Sequence, residues 1–575
     1  MQFPVLSEEQ TSRQMLSVFR GFNANARIGE GEFAAMENLC SDGYPLLRPR
    51  KRRGLCAEPE NVQGLIAKDA LCYVDGSRFV VNGYPVELGL SGRAEDCPKR
   101  LVSMGAYVII FPDKKYINTI DLTDFGNLEA EFIASGPVTL TPVSADGTAL
   151  IPTYIQPEEP KEPENMALWL DNSTQPGVLL QWSAGAGMWV SVEKTFVRLS
   201  CPGIGAAFRV GDGVSITGVP ESVSGNPVVS ARDTDYLVVS GALDEQTEVT
   251  GVTVRRSLPL MDFVIECGNR LWGCRYGVNA AGEVVNEIYA SKLGDFRNWS
   301  CFQGVSTDSY AVNLGADGPF TGAIAHMGYP VFFRENCLHK VYGNYPANFR
   351  LQTTPCRGVQ RGSSESLAIV GQVLYYKSPF GVCAYDGSLP VEVSQQLGQQ
   401  VYSQAVAGAH GGKYCVSMAD EAGNWHLFVY DTVRGLWHRE DGTQVRSFCS
   451  CRDEMYFLDA QGKIWAMLGS GLPEPDFHWM AETGDLETGN PDSKYLSRLT
   501  LRLWLARDAQ MRLLVRYDED ENWHLITSLR GRGMGSVTLP VGVRRCDRLR
   551  LRLEGTGDMR LYDLTKTIEL GSDVH

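Results

Sequence analysis

The side chains able to do chemistry fall into a few short stretches. Carboxylates pair at Glu30 and Glu32, at Glu158 and Glu159, and through Asp518 to Glu521. Paired acids are the residue type that general acid and base catalysis would use. Each pair lies in turn-like or Pro-rich sequence, where solvated acids are expected. The 8 histidines are dispersed, with no HExxH and no i, i+2 arrangement. Cys449 and Cys451 would share one face of a strand, but no CxxC pair or ligand-spaced histidine accompanies them, so no metal site is expected. No GxSxG elbow occurs, and Gly531 to Gly535 and Gly185 to Gly187 lack the strand before and helix after that a phosphate loop needs. Ser291 to Trp299 has a passing likeness to the Asp-box turn of sialidase propellers. Its spacing departs from that pattern, and such boxes are turns rather than catalytic sites. The expectation is that the chain is not an enzyme and holds no cofactor.

Two further stretches offer binding instead. Arg48, Arg50, Lys51, Arg52 and Arg53 form the densest basic cluster, expected as a mobile loop or a docking patch for an acidic partner. Trp169, Trp182 and Trp189 fall close together and suit a glycan stacking platform or a subunit contact, with core packing the commoner use of such residues.

The elements that must carry these residues are short β-runs. From Asp262 to Leu468 one outline recurs: an apolar strand, a Gly or Asn turn, an aromatic-rich strand, and a third strand ending near Tyr, Trp or Asp-Gly. The repeat is about 40 to 50 residues, the blade period of a β-propeller. Five units here and two more between Asn61 and Asn118 predict about seven blades. A small sheet cannot cover both of its faces alone, so the ring must close.

These patterns divide the chain into an N-terminal arm (1–55), a first group of blades (56–135), an inserted β-barrel or sandwich (136–256), the remaining blades (257–470) and a C-terminal β-sandwich (471–575). Within the insert, residues 152–165 resemble an exposed polyproline linker. The last segment alternates apolar residues with Arg or Thr, and Arg498, Arg502, Arg512, Arg548, Arg550 and Arg552 fall on outward faces.

The 575 residues carry 68 acidic against 53 basic side chains, a formal charge of −15, which argues against tight wrapping of nucleic acid. The 15 cysteines are scattered singly, the habit of free thiols in a reducing compartment. No run approaches the roughly 18 apolar residues of a membrane span. The first residues show no export signal.

The stretch Glu37 to Arg53, the blade motifs Asn269–Cys274 and Asn286–Ser291, and the endings Pro540–Asp547 and Ile568–Asp573 resemble tail-associated structural proteins of bacteriophages. The layout is similar to the propeller-bearing nozzle and head-to-tail stabilisation proteins of short-tailed phages. That resemblance implies a non-enzymatic virion protein, assembled in the host bacterial cytoplasm. It further implies a homo-oligomeric ring, six copies favoured, below the portal and adaptor. Genomic DNA would pass through without sequence-specific binding. A receptor- or glycan-binding tail protein is the alternative, and a propeller glycoside hydrolase a third.

Overall fold

A computed structural model describes residues 11–570 apart from 93–98, 145–146, 175–176, 193–194, 244, 280, 316–317, 487–493, 519, 532, 542–545 and 547. Residues 542–545, 547 and 571–573, part of the stretches that carry the resemblance, lie outside the described residues, as does the chain's first segment, 1–10.

The fold is all-β: a seven-bladed propeller with an inserted β domain and a C-terminal β-sandwich. Blades one to six are four-stranded antiparallel sheets whose innermost strands are Val62–Lys68, Arg100–Met104, Phe263–Glu266, Gly322–His326, Ala368–Val370 and Tyr402–His410. The seventh has only three consecutive strands, beginning with Val445–Cys451. Gly54–Ala57 supplies the fourth, with Leu55 opposite Trp465 and Gly54 opposite Ala466. The first strand of the propeller thus completes its last blade, and Val445–Cys451 packs beside Val62–Lys68 to close the circle. Gly54 is required there, because a Cβ would overlap the Ser470 carbonyl oxygen.

Blades adhere through interleaved apolar faces. Val74, Phe79, Val108 and Ile117 fill the space between blades one and two. Trp272, Ile288, Phe332 and Val341 do so between three and four, and Phe333, Leu374, Tyr376 and Cys383 between four and five. Each such side chain contributes about 1.5–3 kcal/mol by burial, and none of it would be gained by an isolated blade.

The sandwich differs from the expected layout. Of the expected arm, 1–55, the described residues from 11 onward are not an arm. Thr11–Leu16 pairs with Met559–Leu570, and Glu32–Glu37 pairs with His478–Thr483, so the N-terminal segment supplies strands to both sheets of the C-terminal domain. Leu499, Leu501, Leu551, Leu553 and Met511 form the dry interior with Phe33, Met36 and Trp479. The insert also begins earlier than expected, since Ala130–Ile133 pairs with Thr253–Arg256. Its main core holds Leu140, Val197, Leu199, Phe208, Leu237 and Val254. A separate small sheet, Tyr154–Ile155 with Leu168–Asp171, Val178–Ser183 and Met188–Ser191, carries the tryptophans. Residues 156–165 are a loop inside that sheet rather than a linker, and Glu162 turns it with φ 54°.

Candidate interaction surfaces

The basic cluster folds inward, contrary to the expectation of a mobile loop. Asn38 Oδ1 accepts from Arg50 Nε at 2.7 Å, and Arg50 also pairs with Glu474. Arg53 meets Glu440 at 2.7 Å and Asp441 at 2.9 Å. The Arg50 guanidinium lies 4.1 Å from the Phe477 ring centroid, and that of Arg53 lies 5.3 Å from Phe457. Burial pulls the Arg53 pKa down, but the Asp441 and Glu440 carboxylates more than reverse this and leave it above its ordinary value. These two arginines therefore join the N-terminal segment to blades six and seven and to the strand leading into the sandwich. Lys51 and Arg52 stay exposed, Arg52 against Asp476, while Arg48 faces Asp558 at 3.9 Å. With Phe477 they border a cleft of about 440 Å³.

The three tryptophans meet on one face of the small sheet. Trp182 stands opposite Trp189 in register, and Trp169 stands opposite Leu180, which places all three on the same side. Trp189 packs edge-on against Trp169 at 5.3 Å and Trp182 at 5.5 Å. Trp169 is 6% exposed and its indole donates to the Gln156 carbonyl at 2.8 Å, so it belongs to the core. Trp182 and Trp189 are half-buried.

The carboxylate pairs serve local structure. Glu30 receives Lys566 at 2.6 Å, and Glu32 accepts from Asn23 and from the Gly29 amide. Asp520 faces His524 at 2.7 Å, and Asp518 accepts the Arg548 amide at 2.9 Å; Glu519 lies outside the described residues. Glu158 and Glu159 are exposed. Among the described residues, no three His, Cys, Asp or Glu side chains are grouped as a metal ion would require. Burial pushes the Cys449 thiol well up, holding it protonated. No helix among the described residues is long and apolar enough to cross a membrane.

Ser291 to Trp299 proves to be a junction. Asp295 accepts from the Arg297 amide at 3.1 Å and from Asn298 Nδ2 at 2.5 Å, which shapes the turn. Asn298 then reaches the insert, donating to Asp212 Oδ1 at 3.1 Å and accepting from the Gly213 amide at 3.1 Å. Asp212, 1% exposed, also takes Arg256. In the sequence this aspartate was legible only as the middle of a Gly-Asp-Gly turn.

A second feature had no sequence signal. Arg100, at the start of the innermost strand of blade two, donates to Ser364 Oγ at 3.3 Å and faces Glu365 at 3.7 Å. Those partners form the turn entering blade five. Blades two and five are not neighbours, so this contact crosses the mouth of the central channel. Away from the axis, a cleft of about 400 Å³ beside blade five is lined by Lys377, Phe380, Glu392, Gln395 and Tyr402. Burial lowers the pKa of Lys377 to about 8.

No family model matches the chain, and no curated protein matches it. Among solved structures it is similar to an exo-β-1,3-galactanase from Phanerochaete chrysosporium, at 8% identity over 53% of this chain and 94% of that one, with a TM-score of 0.21. A glycoside hydrolase family 43 arabinoxylan arabinofuranohydrolase from Bacillus subtilis matches at 7% identity over 52% and 94%, TM-score 0.18. PorZ, a bacterial surface component of the type-IX secretion system of Porphyromonas gingivalis, matches at 10% identity over 84% and 71%, TM-score 0.26. Hydrolases among these neighbours overturn the expectation that the chain is not an enzyme, and that exclusion is withdrawn. At these scores the likeness transfers neither a substrate nor a catalytic residue.

Proposed function

We propose that this chain is a structural protein of a bacteriophage tail or neck. In this reading identical copies, six favoured, close into a ring beneath the portal and its adaptor and extend or shut the passage for genomic DNA. The protein then resides in the virion after assembly in the host bacterial cytoplasm. The observation that carries the reading is the way three β bodies are welded into one stiff block. Asp212, Arg256 and Asn298 lock the insert to blade three. Arg50 and Arg53, with Glu440, Asp441 and Glu474, lock the propeller to the sandwich strands. A closed ring needs two unlike faces held at a fixed angle on each copy, and a hinged chain would not hold that angle. DNA in this reading runs between copies rather than along the propeller axis, since Arg100 and Glu365 face one another across that axis.

Imaging a particle that carries this protein tests the reading. A ring of this chain next to the portal is the expected result, and its absence from the particle overturns the proposal. A second reading, a receptor- or glycan-binding tail protein, is favoured by Trp182 and Trp189 being half-buried rather than enclosed. A glycan array in which W182A and W189A abolish binding would support it, and an array without any binder would remove it.

A further inference from the structure

The two faces of the C-terminal sandwich treat their arginines differently. On one sheet, Arg516, Arg550 and Arg552 converge on Glu482, with Arg552 at 2.8 Å. On that same sheet Arg550 also meets Asp485 at 2.6 Å, and Arg512 meets Glu554 at 3.1 Å. Most arginine on that face is neutralised within the chain; Arg530, exposed on the edge strand, has no carboxylate within ion-pair distance among the described residues.

The other sheet pairs Lys566, on its inner face, with Glu30 but leaves the arginines of its outer face without carboxylate partners. Arg13, Thr567 and Arg498 form one row across three strands, and Arg502 stands four residues on from Arg498, on the same side. All three arginines are exposed, whereas Leu499 and Leu501 between them are 0% exposed and face the core. Arg560 lies over the Trp504 ring at 5.0 Å and extends the same face. Among the described residues none of these four arginines has a carboxylate within ion-pair distance. Asp563, opposite Arg502 in register, and Glu569, two residues past Thr567, share the face and pair with none of them.

The matching opposite charge sits on the insert. Its loop 156–165 presents Glu158, Glu159, Glu162 and Glu164, all exposed and none within ion-pair distance of a cation among the described residues, with Lys161 as the single base. Pro160 is buried and anchors the loop while the glutamates point to water. Among the described residues no strand of the insert packs extensively on a strand of the sandwich within one chain.

We infer that the glutamate loop of one copy docks on the free-arginine face of the next, forming the head-to-tail interface of the ring. This rests on the ring reading above and deepens it by assigning the two unlike surfaces. An interface of one patch against a different patch closes into a ring when the rotation per copy is right. A carboxylate-rich loop supplies acceptors for guanidinium forks, whose planar geometry suits paired oxygens. The chain as a whole is acidic, at −15, so two copies repel on average and an exposed cationic face is where an acidic loop of the next copy is attracted.

The test is native mass spectrometry and light scattering on the full chain at about 0.1 M salt, where surface charges separated by more than about 10 Å are screened. Three proteins are compared: the natural chain, a loop variant (E158K, E159K, E162K and E164K together) and a face variant (R498E with R502E). The natural chain is expected to self-associate, and each variant to weaken association by about tenfold or more. An equimolar mixture of the two variants is expected to recover much of it, because alternating copies place the lysine loop against the reversed face and the unaltered glutamate loop against the unaltered arginine face. Both sets lie on exposed side chains, and unchanged melting temperatures establish that each variant folds. If the natural chain forms rings and neither variant disturbs them, this interface is wrong and the ring reading stands. If the natural chain stays monomeric at every concentration, alone and with the portal, the ring reading itself falls. If the face variant instead loses retention of double-stranded DNA while assembly is untouched, the face serves phosphate and the proposed occupant is overturned.

Discussion

Asn298 of blade three and Asp212 of the insert hold one another, with Asn298 Nδ2 donating to Asp212 Oδ1 at 3.1 Å while Asp212 also carries the Arg256 guanidinium. Both residues are essentially buried, at 1% exposure each. Removing the charge on one partner of such a buried pair leaves the other uncompensated, at a cost of about 3–5 kcal/mol. Asp212→Asn keeps the shape and strands Arg256. The expected outcome is a lower melting temperature together with earlier proteolytic cleavage between blade two and the insert. Asn298→Ala, which removes hydrogen bonds to the Asp212 and Asp295 carboxylates and from the Gly213 amide but takes no charge out of the junction, is expected to cost about 1–3 kcal/mol. Equal effects of the two variants would refute the charge-based account of this junction.

Gly54→Val tests how the propeller is closed. The side chain would collide with the Ser470 carbonyl and with the backbone at Gly471. Displacing Gly54–Ala57 also exposes Ile464 and Ala466, which are fully buried against it. Hydrogen exchange would read this directly, as faster exchange in Glu454–Asp459 and Ile464–Ala466 with blade four unchanged. Uniform protection across all blades in G54V would mean that the terminal strand is dispensable.

The blades were legible because their aromatics repeat at a fixed interval and face neighbouring blades, as Phe79, Trp272 and Tyr376 do. Closure was not legible, because Gly54–Ala57 is four residues without a repeat and pairs with a strand about four hundred residues away. The basic cluster was misread for the same reason: Arg53 finds Glu440 across 387 residues of sequence, and nothing near Arg53 announces that carboxylate. The N-terminal strands escaped notice because Thr11–Leu16 is a mostly exposed edge strand with almost no apolar alternation. The tryptophan face was half legible. Spacing gathered Trp169, Trp182 and Trp189, but only the fold separates the enclosed ring from the two half-open ones.

That separation predicts unequal responses to truncation. Trp169→Ala deletes an indole that is 6% exposed and hydrogen-bonded to Gln156, for an expected loss of about 3–5 kcal/mol from the small sheet. Trp182→Ala removes a half-buried ring and is expected to cost no more than about half as much. Chemical denaturation of the two variants, followed through the remaining tryptophan fluorescence, would distinguish them. A larger loss in W182A would place Trp182 at the centre of the packing instead.

Acidification should destabilise the propeller well above the usual carboxylate range. Burial lowers the His438 pKa from 6.5 to about 4, with Lys413 adding to the shift and Asp431 and Asp42 opposing it. Burial likewise lowers His339 to about 4, with Arg334 adding to the shift. Both imidazoles are neutral in the folded state, while the unfolded chain protonates them near 6.5. Between these values the unfolded state binds more protons, so stability is fully present above about pH 6.5 and is lost as pH falls toward 4. The size is on the order of 3 kcal/mol for His438. Asp441, whose carboxyl is raised by burial but lowered further by Arg53, acts in the same direction below its ordinary range. Urea unfolding at stepped pH is expected to show a falling midpoint from about pH 6.5 downward. His438→Gln should flatten that slope by about half, since His339 remains. A slope in H438Q identical to that of the natural chain would show that His438 takes up its proton without loosening the blade around it.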